Sequence, residues 1–140
     1  MPDEAYGTHE KSEQMLAVAH ENFDRWNEAL QTGDPKVVAA LYHDDATFLP
    51  TKSGEFMRGQ AGAEKYFTHF LEDRPTGEVV SEEVQSLGTE AYLHSGNYNF
   101  SLGPDDARRM VEARFSFVWV IDDQGEWKIL HHHSSARPQA

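Results

Sequence analysis

The sequence contains no cysteine, which excludes a disulfide framework, a thiol nucleophile and any Cys-based zinc site. It is also poor in positive charge. Twelve lysines and arginines face 24 acidic residues, for a net charge of −12 over 140 residues. Nucleic acid and anionic membranes need a basic footprint, so neither is an expected partner. No apolar run is long enough to span a bilayer. Residues 1–13 lack both the basic start and the apolar stretch of a secretory signal, which makes the cytoplasm the expected location. No phosphate loop, dinucleotide fingerprint, nucleophile elbow or paired-carboxylate spacing occurs. Internal repeats are absent too.

What is present is aromatic and periodic. Eight Phe, five Tyr and three Trp can fill the core of one domain of this length. After a frayed arm over 1–13, Leu16, Ala19, Phe23, Trp26 and Leu30 recur at the spacing of one helical face. Thr32-Gly33 ends that helix, and Asp34-Pro35 opens a second with a cap and a first-turn proline. Val37, Val38, Leu41 and Tyr42 form the expected buried side of this second helix. A short strand follows at 46–49, then a loop over 50–59 with room for a brief hairpin. A third helix over 61–72 buries Tyr66, Phe67, Phe70 and Leu71. The remainder reads as four strands, 77–87, 91–102, 109–121 and 126–135, separated by Gly, Pro and Asp turns. Helices followed by long antiparallel strands make an α+β domain over 14–138. A strongly curved sheet around three helices encloses a pocket between the two layers.

The chemistry concentrates at the end of the chain, in Trp127-Lys128-Ile129-Leu130-His131-His132-His133-Ser134-Ser135. Strand alternation puts His132 and Ser134 on one side, following Leu130, and His131, His133 and Ser135 on the other. Burying such polar groups requires partners, so His132 and Ser134 are read as a pocket wall. His131 and His133 are read as a sheet end or a subunit contact. Zinc is not favoured, because neighbouring strand residues diverge and only His131 and His133 share a face. No metal or cofactor is expected. Thr51, after Pro50, lies near the mouth of any cavity, and Tyr66 carries a hydroxyl on the apolar side of the third helix. Tyr98 and Arg114, on strands, are further candidates for substrate binding.

With these elements in place, the chain resembles the nuclear transport factor 2-like superfamily from about Gln14 to Pro138. Within it, the chain looks like the group related to the association domain of calcium/calmodulin-dependent protein kinase II. The resemblance is carried by Ala29-Leu30-Gln31-Thr32-Gly33-Asp34, Leu41-Tyr42-His43-Asp44-Asp45-Ala46, Trp127-Lys128-Ile129 and the terminal His-x-His-x-Ser-x-x-Pro. A narrower likeness, to iota-class carbonic anhydrases and small SgcJ/EcaC-type bacterial proteins, rests on four motifs. These are Leu49-Pro50-Thr51-x-Ser53, Tyr66-Phe67-x-His69-Phe70-Leu71, Ala113-Arg114-Phe115-x-Phe117-Val118 and His132-His133-Ser134-Ser135-Ala136-x-Pro138.

That likeness implies metal-independent, reversible hydration of CO2 to bicarbonate. Tyr66 and His132 would relay water's proton, and Thr51 and Ser134 would donate to the developing negative oxygens. The kinase domain has an arginine where Ser134 stands, so its anion pocket and ring assembly do not carry over. Two alternatives stand beside this reading. One is a small-molecule-binding or dimerisation module without catalysis. The other is an isomerase- or cyclase-type enzyme with a carboxylate base, for which Glu112 is the residue to examine. A sheet-to-sheet homodimer is the expected assembly.

Overall fold

Aromatic residues on one side of each strand and on one face of each long helix can be buried together only if sheet and helices face each other. The computed structural model, which describes residues 9–139, has this arrangement. In chain order the elements are α1 (His9–Gln31), α2 (Pro35–Ala39), β1 (Tyr42–Leu49), β2 (Met57–Arg58) and α3 (Gly59–Phe70). A 3₁₀ turn at Leu71–Asp73 leads into β3 (Thr76–Ser86), β4 (Ala91–Leu102), β5 (Arg109–Ile121) and β6 (Trp127–Ala136). One curved sheet runs in the order β2-β1-β6-β5-β4-β3. The β1–β6 pairing is parallel, and the others are antiparallel.

The described part of the expected arm is helical, because α1 begins at His9; residues 1–8 lie outside the described residues. Gly33, at φ 71°, ends α1 with its N–H on the Leu30 carbonyl, the left-handed exit that glycine makes without strain. The Asp34 carboxylate then accepts from the Lys36 N–H and caps α2. This helix is shorter than the sequence suggests. Leu41 and Tyr42 continue its apolar spacing, yet Tyr42 already pairs with Ile129 of β6. Tertiary strand pairing overrides the local helical pattern.

Two long strands end where their turn residues place them, β4 at 91–102 and β5 at 109–121. Curvature has a local cause in β3. Its register slips between Val79 and Ser81, and Gly96 on β4 faces that bulge. A Cβ at Gly96 would collide with the Ser81 carbonyl oxygen. Only a residue without a side chain lets the two backbones approach there.

The concave side holds the core. Trp26, 1% exposed, lies stacked with Tyr98 at 6.3 Å and edge-on to Phe117 at 5.4 Å. It therefore joins α1 to β4 and β5. Truncating such a residue to alanine costs about 3–5 kcal/mol. Ala113, Phe115, Phe117 and Trp119 of β5 all point into this core. The same alternation sends Glu112 and Arg114 outward, where both are exposed. Arg114 is thus no part of an interior site, contrary to the expectation for it.

Candidate active site

Strand β6 carries the site and owes its aim to a bulge. Val118 pairs with His131, but Trp119 pairs with Ile129, so the β5–β6 register slips at Leu130. Simple alternation would put Leu130 on the side of His132. Instead Ile129 is buried at 0%, Leu130 is half-buried, and His132 and Ser134 point inward at 2% and 5% exposure. One extra residue re-aims the strand between its apolar and its polar half.

His132 sits between two aromatic planes. Phe117 stacks on it at 4.0 Å and Phe48 at 4.8 Å, and Trp26 meets it edge-on. Both ring nitrogens are engaged. Nδ1 is 2.9 Å from the Tyr42 hydroxyl, and Nε2 is 3.3 Å from the Tyr98 hydroxyl. Burial pushes the imidazole well below its ordinary pKa, and the neighbouring His131 and His133 add to that fall. The ring is neutral at physiological pH.

Donor and acceptor inventory gives the row a favoured direction, starting from the one bond that cannot reverse. The Trp26 indole nitrogen can only donate, and it gives its N–H to the Tyr42 oxygen at 3.2 Å. The buried Tyr42 proton then goes to His132 Nδ1. A neutral imidazole accepting at Nδ1 carries its proton on Nε2, and that proton goes to the Tyr98 oxygen. Tyr98 in turn donates to the Ser134 hydroxyl at 2.5 Å. Ser134 and Thr51 share a short hydrogen bond that ends the row near the surface. Polarity runs outward from the core, and the chain ends on a hydroxyl donor.

Thr51, Tyr66, Tyr98, His132 and Ser134 all line one small cavity of about 10 Å³, together with rings such as Phe48, Phe70 and Phe100. This is the room of a single water. Tyr66 shares the cavity but not the network. Its hydroxyl is held by the Lys52 backbone N–H, and burial raises its pKa more than that bond lowers it. Phe48 lies edge-on to Tyr66 at 5.3 Å and stacked on His132. Tyr66 and His132, expected to relay a proton through a bound water, line the same cavity, while the direct hydrogen bonds of His132 run to Tyr42 and Tyr98. Burial raises the Tyr98 phenol as well, against the opposing effect of its Ser134 bond, so the row carries no charge.

His131 and His133 stay outside, the first bonded to the Thr47 hydroxyl at 2.6 Å, the second exposed. The sequence reading missed Tyr42 and Trp26 as members of the network. Both have an apolar helical spacing that explains them as core residues, and nothing in that spacing reveals the hydroxyl–imidazole contact.

With this geometry in hand, comparison with known proteins adds a family. Residues 17–138 match the calcium/calmodulin dependent protein kinase II association domain. A Xanthomonas campestris protein whose structure bears the name of that domain is 39% identical, with a TM-score of 0.83 over 89% of this chain and 88% of its own. A nuclear transport factor 2-like protein from Salmonella enterica serovar Typhimurium is 16% identical, with a TM-score of 0.73 over 91% and 94%. A Catenulispora acidiphila protein in complex with S-DNPA is 13% identical, with a TM-score of 0.75 over 88% and 93%. The last two establish the fold alone. No curated protein matches the chain.

Proposed function

The chain belongs to the calcium/calmodulin-dependent protein kinase II association domain family, and from that premise we propose that its inner cavity, which has room for one water as it stands and must widen at Thr51 to admit CO2, hydrates CO2 to bicarbonate without a metal. One observation supports this reading above others. Hydroxyls of Thr51, Ser134 and Tyr98 meet the His132 imidazole around a space of one water. The lining offers one imidazole and no carboxylate or thiolate, short of the three protein ligands that a catalytic zinc keeps.

In the resting polarity the row ends in one free donor. The Thr51 hydroxyl, accepting from Ser134, can stabilise negative charge on a CO2 oxygen as water's oxygen bonds to carbon. The departing proton needs the opposite polarity. With His132 as the Nδ1–H tautomer and the rotors reversed, water gives its proton to Ser134. The serine proton passes to Tyr98, and the Tyr98 proton to His132 Nε2. Bicarbonate leaves, and the imidazolium returns its proton to solvent along the same row.

Two magnitudes make this a slow enzyme. In the reversed state the Tyr42 hydroxyl receives N–H groups from both Trp26 and His132, so its own buried proton loses its acceptor, at about 1–3 kcal/mol. Bound zinc would lower water's pKa from about 15.7 to about 7, whereas general acid–base help contributes about 10²–10⁴-fold.

The non-catalytic module draws support from the same bonds, since the network's groups already satisfy one another. The carboxylate-base alternative has little: Glu112 is exposed on the outer face. Stopped-flow CO2 hydration with metal-stripped protein and chelator decides the matter. We expect a rate above buffer that falls about 10- to 100-fold in Ser134→Ala. A rate equal to buffer removes the enzymatic reading.

A further inference from the structure

Outside the inner cavity lies a second, larger one of about 380 Å³ between the 50–57 loop and α3. Tyr66 and Phe70 line both spaces, so their rings form the wall between them. The outer pocket has the size of ordinary small-molecule sites, unlike its one-water neighbour. Its apolar wall is Met57, Tyr66 and Phe70, the last two stacked with ring centres 5.3 Å apart. Its rim carries Lys52, Lys65 and His69, with the carboxylates of Glu55 and Asp73 beside the two lysines. Two of the twelve basic residues in a chain of net charge −12 thus border one pocket.

These cations are held by weak partners. Lys52 reaches Asp73 only at 3.5 Å, and Arg109 shares that carboxylate at 3.8 Å. Lys65 pairs with Glu55 at 2.9 Å, but both side chains are more than half exposed, at 62% and 56%. Exposed pairs of this kind contribute about 0–1 kcal/mol. A ligand carboxylate can therefore take either ammonium at little expense, while an apolar body covers the stacked rings.

We infer that this outer pocket is a binding site for a small monocarboxylate with a compact apolar or aromatic body, its carboxylate on Lys52 and Lys65 and its body on Met57, Tyr66 and Phe70. A neutral isostere keeps the apolar contact and loses both charge-assisted bonds. A ligand there also covers the wall of the inner cavity. That obstruction bears on turnover only if CO2 hydration occurs inside, whereas the binding itself needs no catalysis.

The test is an NMR titration of ¹⁵N-labelled protein with benzoate and, separately, benzamide. The site predicts benzoate shifts clustered on Lys52, Lys65, Tyr66 and Phe70 amides, with benzamide bound at least about tenfold more weakly. Lys52→Gln with Lys65→Gln should weaken benzoate about tenfold or more while leaving the folded spectrum intact. Glu55→Gln, which removes the competing carboxylate from Lys65, should tighten it about two- to threefold. Equal affinity for the two probes, benzoate shifts centred elsewhere, or an unchanged affinity in the double lysine variant each overturn the site. Because no turnover is read, failure of hydration leaves this result standing, and the reverse also holds.

Discussion

Two histidines are wholly buried in this sheet, and their neighbours give them different work. His132, on β6, faces hydroxyls on both nitrogens. His94, on β4, faces a carboxylate: its Nε2 lies 2.8 Å from Glu82, whose other oxygen is 2.9 Å from His20 of α1. The Nδ1 atom of His94 has no partner among the described residues. Glu82 is pushed up by burial, yet its bonds from His20 and His94 outweigh that and leave it below its ordinary pKa. The β3–β4 cluster is an ion-supported clamp that holds α1 onto the sheet. The β6 row is neutral throughout, and its bonds can exchange donor for acceptor. A network open to proton movement needs that neutrality, whereas a clamp does not.

The largest test of the contrast is substitution by phenylalanine at each position. His132→Phe keeps the stack on Phe48 and Phe117 but strips the acceptor from the Tyr42 hydroxyl and the donor from Tyr98. We expect a loss of about 2–4 kcal/mol in urea unfolding. His94→Phe removes the unpartnered Nδ1 together with the Nε2 bond to Glu82, which keeps its bond to His20. About 1 kcal/mol should go. Equal losses would erase the distinction between network and clamp.

Acid sharpens it next. Both histidines are depressed in the folded protein, mainly by burial, with Glu82 opposing the fall at His94. The unfolded chain therefore binds protons first as pH drops below about 6.5, so stability falls there with slope up to about 1.4 kcal/mol per pH unit for each ring. His132→Phe should flatten that part of the thermal-unfolding profile. Glu82 has the opposite window: its stabilisation is present above about pH 4.5 and disappears as pH falls through its lowered folded value. Glu82→Gln should remove that second, more acidic drop.

The smallest structural effect should come from Thr51→Val, at the outer end of the row. Thr51 is half-buried, so stability should change by less than about 1 kcal/mol. CO2 hydration should fall about tenfold or more, measured beside urea unfolding on the same sample. A large stability loss with unchanged turnover would turn the row into a purely structural feature.

The strand meander was legible because Gly, Pro and Asp clusters mark its turns and apolar residues alternate between them. Arg114 is a substrate-binding candidate in the sequence reading, although the alternation that puts Ala113 and Phe115 inside puts Arg114 outside. The His132–Ser134 face followed from the period-two rule, although the bulge at Leu130 shifts which apolar residue precedes it. Tyr42 was hidden, because its spacing from Val38 fits a helix and only pairing with Ile129 makes it a strand residue. Hydrogen-bond partners across 90 residues, such as Tyr42 and His132, leave no local trace in a chain.

The mechanism and the stability contrast both turn on the protonation of His132. Long-range ¹H–¹⁵N spectra of the imidazole nitrogens, taken from about pH 8 down to about pH 5, report it directly. A neutral ring with its proton on Nε2, and no titration across that range, is the predicted result. A midpoint near 6.5, or a resting proton on Nδ1, would contradict it.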